Sequence, residues 1–289
     1  VWILLLVSVA GFLAQLIDGS MGMAFGVSAT SLLLLLAYSP AAASAIVHLA
    51  EVATAAVSGV SHIKFGNVHW PTLAKIAIPG SIGAFIGAML LSNLDLSAAR
   101  PWTSAILLVL GVVIIARFIK ARKQMPARDG RKRWLVPLGL VGGFVDATGG
   151  GGWGPVVTTS LTVSSVLQPR KAVGTTNAAE FAVALSASIG FLLGLGASAI
   201  PWDAVIALII GGVLAAPVAA WIVTKVPQQI LGLVVGFFIV FLNVRQLSLS
   251  LDLSSAVIGA LLGIISVGGL VTVLTIAKRS KPKPATSAG

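Results

Sequence analysis

DGSMGMAFG, residues 18–26, and DATGGGGWG, residues 146–154, lie 128 positions apart and share an opening acid followed by glycines. Each stretch divides two apolar runs: 1–17 and 24–38 around the first, 134–145 and 155–166 around the second. A spanning helix needs about 20 apolar residues, and at about 1.5 Å per residue the run 155–166 reaches only ~18 Å. Short apolar segments broken by glycine at corresponding places in two halves point to a central binding site inside a membrane.

The correspondence extends outward. Pro40 matches Pro169 and Glu51 matches Glu180 at an offset of 129, while Trp70 matches Trp202 and Gly80 matches Gly212 at 132. Seven further runs reach or approach spanning length: 42–62, 72–92, 102–119, 173–194, 203–223, 229–246 and 254–277. The expected fold is therefore an all-α polytopic membrane protein of two repeats. Residues 1–120 form the first repeat, with a broken hairpin over 1–38, and 121–133 a basic loop. Residues 134–247 form the second, with a broken hairpin over 134–166. The span 254–277 is extra, and 278–289 is a basic tail.

Composition agrees. Hydrophobic residues make up 57% of the 289 and charged residues 9%, against roughly 25% charged in a soluble domain. Lipid is the solvent this chain requires, and the expected location is the plasma membrane. The net charge of +11 does not imply nucleic acid, because eight of the 19 Lys and Arg fall between Arg117 and Arg133 and four more in the tail. Basic loops beside apolar spans follow the positive-inside rule. With loop 121–133 and the C-terminus cytoplasmic, 17 basic residues fall inside and two, Arg100 and Arg245, outside. Parallel repeats would place a basic loop on the wrong face, so the repeats are expected to be inverted in topology. No cysteine is present, which excludes disulfides and thiolate chemistry. The apolar run that begins at Val1 reads as a mature membrane segment, not a signal peptide.

Glycine lets backbone amides approach a ligand, and Pro155 suits the first turn of a resuming helix. Two helix N-termini would aim amides and partial positive charge at one cavity. The expected substrate-binding set is Ser20, Met21, Gly22, Met23, Thr148, Gly149, Gly150, Gly151, Gly152, Trp153, Thr158 and Asn177, with Thr159 nearby. The bland alternative is close helix packing through small residues. Asp18 and Asp146 read either as caps of broken backbone or as coupling groups. His48 and Glu51 share one helical face, as do Asn177 and Glu180 in the second copy. An ionisable group at membrane depth is a functional candidate, with a helix-locking hydrogen bond, proton coupling and substrate contact all open. His62 and His69 read as solvated loop residues.

The breaks, together with PRKAVGTTNAAEF (residues 169–181) and SPAAASAIVHLAE (39–51), resemble the sulfite exporter (TauE/SafE) family of membrane permeases over about residues 10–245. The resemblance implies a small anionic substrate such as sulfite, sulfoacetate or another organosulfonate. Aromatic sulfonate uptake permeases belong to the same family, so direction stays open, as does a homodimer. The first break departs from a full glycine run at Met21, Met23 and Ala24. A divalent-metal transporter using His48 and Glu51 lacks further His or Cys ligands. An intramembrane aspartyl protease lacks the Tyr-Asp and Gly-x-Gly-Asp contexts. No enzyme activity, cofactor or resident metal is expected.

Overall fold

The computed structural model describes residues 2–119, 132–222 and 225–279, and among them there is helix and no strand. The chain runs α1 (Trp2–Met21), α2 (Phe25–Leu35), α3 (Pro40–Lys64), α4 (Trp70–Asn93) and α5 (Leu96–Ile119). It continues through α6 (Leu135–Gly149), a π turn (Gly154–Thr158), α7 (Thr159–Val163), α8 (Pro169–Leu195), α9 (Trp202–Ile222), α10 (Gln228–Ser250) and α11 (Ser255–Arg279). Most of the basic stretch 121–133 and of the tail 278–289 lies outside the described residues, as does the side chain of Ser20.

Eight of these helices are long and apolar enough to cross a membrane, while α2 and α6 are shorter apolar helices. The eighth is a correction. The run 1–17 reads as too short, yet α1 continues through Asp18 and Gly19 to Met21. Gly19 does not break the helix; it is a packing position, where an added Cβ would come within 2.7 Å of the Ala219 methyl. The backbone leaves the helix only where φ turns positive, at Gly22 (70°) and Ala24 (88°). Likewise α6 carries Asp146, Ala147 and Thr148 through to Gly149, and the turn falls at Gly150 (71°) and Gly151 (135°). Beyond it the chain forms one wide π turn and the five-residue α7, where the sequence suggests a single α-helix over 155–166. Helices α3 and α8 open on Pro40 and Pro169, residues that need no amide partner in the first turn. Ser39 Oγ accepts from the Ala42 amide at 3.2 Å and caps α3.

The helices pair across the two halves of the chain. Gly139 meets Ile76, Gly143 meets Gly80 and Gly87 meets Phe144, so α4 and α6 run parallel. Gly11 meets Leu208 and Gly19 meets Ala219, so α1 and α9 also run parallel. By contrast α3 and α8 are antiparallel: Gly59 lies on Ala178, Asn177 on His62, and Phe191 on His48. Helices α5 and α10 are antiparallel too, through Phe118 with Gly232, Ile115 with Gly236 and Gly111 with Val240. One buried apolar cluster surrounds α2 with α1, α3, α5, α9 and α10, and a second joins α4, α6 and α8. Helix α11 rests on α10, where Gly269 meets Phe237, and only 6% of its spanning window is buried.

In lipid no hydrophobic force holds helices together, so close backbone approach at small residues carries the association. The α4–α6 crossing is among the tightest of these. A Cβ on Gly143 would lie 2.8 Å from the Gly80 carbonyl carbon, and one on Gly83 2.9 Å from that of Leu140. Gly143→Leu is expected to cost about 2–3 kcal/mol by overpacking and to lower the melting temperature in detergent. Gly263→Leu on α11, where a Cβ meets nothing within 4 Å, leaves that temperature unchanged. Equal melting temperatures for the two variants contradict the crossing.

Candidate functional site

The two interruptions meet. A Cβ on Gly26 would lie 2.6 Å from Gly151 Cα, 2.9 Å from Glu51 Oε1 and 3.2 Å from the Gly150 carbonyl oxygen. Thr30 Oγ1 donates to that same carbonyl, and a Cβ on Gly154 would come within 3.0 Å of Met23 Cβ. Gly26 is glycine because another backbone occupies the place of its side chain. Gly151 is glycine for that reason and for its φ of 135°, which L side chains avoid.

Broken backbone inside a membrane needs partners, and two aspartates supply them. Asp146 Oδ1 accepts from the Gly152 and Trp153 amides at 2.6 and 2.9 Å, while the Asp146 carbonyl accepts from the amides of Gly150 and Gly151. Asp18 accepts from the amide of Phe25, the position that matches Trp153 at the offset of 128. This corrects the reading of the second break as a bare anion cradle: the amides from Gly150 to Trp153 are already taken. The amides of Gly26 and Val27, in the first turn of α2, have no intrahelical carbonyl to reach, and both residues line the central cavity.

That cavity consists of two adjoining pockets that share part of their lining, the inner one with room for about one water. An inner chamber lies under the breaks, bounded by Gly22, Met23, Gly151, Gly152, Trp153 and Thr158. A wider vestibule of about 770 Å³, its open mouth included, runs from there past Thr54 and Ser58 to His62. Asp18, Glu51, Asn177 and Glu180 line both parts, and Asp146 lines the chamber. No Lys or Arg is among the lining residues. Glu51 is 4% exposed, and its Oε2 has no hydrogen-bond partner.

Behind Glu51, Asp146 closes the chamber, and His48 sits against Asp146 without lining the chamber itself. His48 Nε2 lies 3.2 Å from Asp146 Oδ2, and both residues are buried. His48 Nδ1 is 2.8 Å from the Ser44 carbonyl, an acceptor only, so Nδ1 carries a hydrogen. Ser44 Oγ donates to the Ala147 carbonyl at 2.7 Å, tying α3 to α6. Ligand atoms of His48, Glu51 and Asp146 lie within 4.8 Å of one another. Asp146 is committed to two amides and to His48, however, and His48 Nδ1 to Ser44. Glu51 alone keeps free lone pairs, too small a donor set for a transition metal.

Several expected residues lie elsewhere. Thr148 bonds back to the Phe144 carbonyl at 2.7 Å, Gly149 packs on Ile106, and Gly150 sits against Thr30. Met21 is buried in the apolar cluster around α2. Trp153 spends its indole N–H on the Thr176 carbonyl at 3.0 Å, and Thr158 donates to Thr176 Oγ1 at 2.8 Å. Thr159 accepts from Arg117. Of Ser20, only the helical backbone is described. His62 corrects the solvated reading: it lines the vestibule, with Asn177 Nδ2 at 3.3 Å from Nε2 and Asn67 Nδ2 at 3.2 Å from Nδ1. Arg170 Nε donates to Asn67 Oδ1 at 2.6 Å and completes a polar rim at the mouth. The signal was in the sequence: Glu51, Thr54, Ser58 and His62 recur at the spacing of one helical face.

No solved structure matches the chain. "Probable membrane transporter protein YtnM" of Bacillus subtilis (strain 168) is 52% identical over 242 residues, covering 82% of this chain and 80% of that protein. The model of the family described as sulfite exporter TauE/SafE matches residues 7–246. The chain is a multi-pass membrane transporter and belongs to the sulfite exporter TauE/SafE family.

Proposed function

We propose that this chain is a secondary transporter that moves a small anion, sulfite or an organosulfonate, by alternating access of two inverted repeats, with protons as the coupling ion. The observation that carries this reading is a polar cavity beneath two helix interruptions from opposite halves, with a mouth at His62 and a buried end at Asp146. Corresponding helices α3 and α8 run antiparallel, as do α5 and α10, while α1 pairs with α9 as α6 pairs with α4. Those directions are what two halves related by inversion across the membrane produce. The mouth lies on the side of Lys64, Arg170 and Lys171, the cytoplasmic side by the positive-inside rule. The basic loop 121–133 and the C-terminus then face the cytoplasm.

An anion moving from the vestibule toward the chamber meets the amide of Asn177 and then the amides of Gly26 and Val27. It also meets Asp18, Glu51, Asp146 and Glu180. Two like unit charges 4 Å apart repel by about 4 kcal/mol at an effective dielectric of 20. Anion entry is therefore coupled to protonation of these acids, with Glu51 and Glu180, which line both parts of the cavity, as carriers. Arg170 at the mouth attracts the anion before it reaches the acids.

Flux of labelled sulfite into proteoliposomes tests the site. Gly151→Leu drives a side chain into the Gly26 backbone and is expected to reduce flux about a hundredfold, whereas Thr148→Val leaves it near wild type. Wild-type flux in Gly151→Leu rejects the site. A thermal-shift series against sulfite, sulfate, small sulfonates and carboxylates tests the substrate class. Sulfite or a sulfonate at about a hundred times Kd adds ~2.7 kcal/mol of stability, and a response only to carboxylates rejects the class.

A further inference from the structure

The repeat is unequal at one chemically decisive place. His48 in the first half corresponds to Asn177 in the second, and only the histidine titrates. Asn177 turns toward His62 at the mouth, whereas His48 turns away from the mouth toward Asp146, one helical turn beyond Glu51. Because Nδ1 already donates to the Ser44 carbonyl at 2.8 Å, the contact from Nε2 to Asp146 Oδ2 needs a proton of its own. That proton sits on the imidazole, giving a cation beside a carboxylate, or on the acid, giving two neutral groups. With neither, a nitrogen lone pair would face an ionised oxygen at 3.2 Å in a buried site.

We infer that His48 and Asp146 form the site that holds the coupling proton, with Glu51 as the group that exchanges it with the cavity. This deepens the transport reading above and rests on it. Glu51 Oε2 is buried and unpartnered, and it belongs to the cluster in which the three side chains lie within 4.8 Å. Transfer of the proton from the pair to Glu51 leaves His48 neutral, Asp146 ionised and Glu51 neutral, so the charge of the three groups is unchanged. The same transfer removes the only attraction between Nε2 and Oδ2. Ser44 and Asp146 join α3 to α6 at this end of the cavity, so loss of the proton loosens the buried end while loading holds it shut. Coupling follows from that link: the far side opens only after the proton has left the pair.

The titratable groups that face the pair are all acids: Glu51 on α3, Glu180 on α8 and Asp18 on α1. Helix α2 has none. Among the other helices packed on α3, α4 offers the exposed Lys75, α9 the exposed Asp203, and α5 the exposed Arg100 together with Arg117, which is bonded to Thr159. On α8, Arg170 and Lys171 are tied to Asn67 and Gly66 at the mouth, so among the described residues no Lys or Arg faces the pair.

His48→Asn, which installs the side chain found at the matching place in the second half, is the test. In proteoliposomes with labelled sulfite it is expected to retain exchange at equal pH on both sides while losing accumulation driven by a pH gradient, with wild type showing both. Accumulation at the wild-type level in His48→Asn overturns the assignment, and so does a wild type that exchanges sulfite but ignores the gradient. A wild type that does not exchange sulfite at all overturns the transport reading beneath it. Melting temperature in detergent is read alongside, and His48→Gln replaces His48→Asn if the latter melts early.

Discussion

The structure depends on one contact: the backbone of Gly26 lying against the backbone of Gly151 within the membrane-spanning part of the chain. Backbone in hydrocarbon cannot be left without hydrogen-bond partners, and close approach of two chain segments leaves no room for side chains to provide them. Asp18 and Asp146 resolve the conflict from one turn upstream, by accepting the amides of Phe25 and of Gly152 and Trp153. The aspartates, the glycines and the local left-handed turns are thus one device, present in both halves. Removing any part exposes unpaired amides to a medium that cannot satisfy them.

An acidic cavity in a transporter proposed to carry anions is a contradiction only if the acids are ionised when the anion is present. Asp18, Glu51, Asp146 and Glu180 surround a space with no Lys or Arg, so the charge of that space is set by protons. Among the described residues, a fixed cation stands at the rim, where Arg170 holds Asn67, and Asn67 in turn holds His62. On the proposed reading, the rim recruits negative charge and the interior admits it when protonated. The separation of these tasks along one path is what a proton-coupled carrier requires, and a permanently positive chamber would bind the anion without releasing it.

The helical, membrane-spanning character of the chain was plain in its sequence, because runs of apolar residues near spanning length have no soluble alternative. The limits of the breaks were not. Gly19 looks like an interruption, yet it lies in helix against Ala219, since a glycine bends a chain only where packing does not hold it straight. The amides of the second break were read as open to a ligand, but spacing along the chain cannot show that the Asp146 carboxylate folds back onto Gly152 and Trp153. Trp153 and Thr158 line the chamber but spend their polar atoms on Thr176, a contact between α8 and the π turn that no local pattern encodes. The stripe from Glu51 to His62 was readable from helical spacing, and treating His62 as a loop residue concealed it.

Met23 and Gly154 give the most direct test, since a Cβ on Gly154 would lie 3.0 Å from Met23 Cβ and the chain holds no cysteine of its own. Disulfides form where Cβ atoms lie about 3.5–4.5 Å apart, a distance these two positions reach with a small adjustment. With Met23→Cys and Gly154→Cys in one chain, mild oxidation should link the two halves rapidly and stop transport, and reduction should restore it. Absence of a cross-link, or full transport with the cross-link complete, contradicts a central site built where the two interruptions meet.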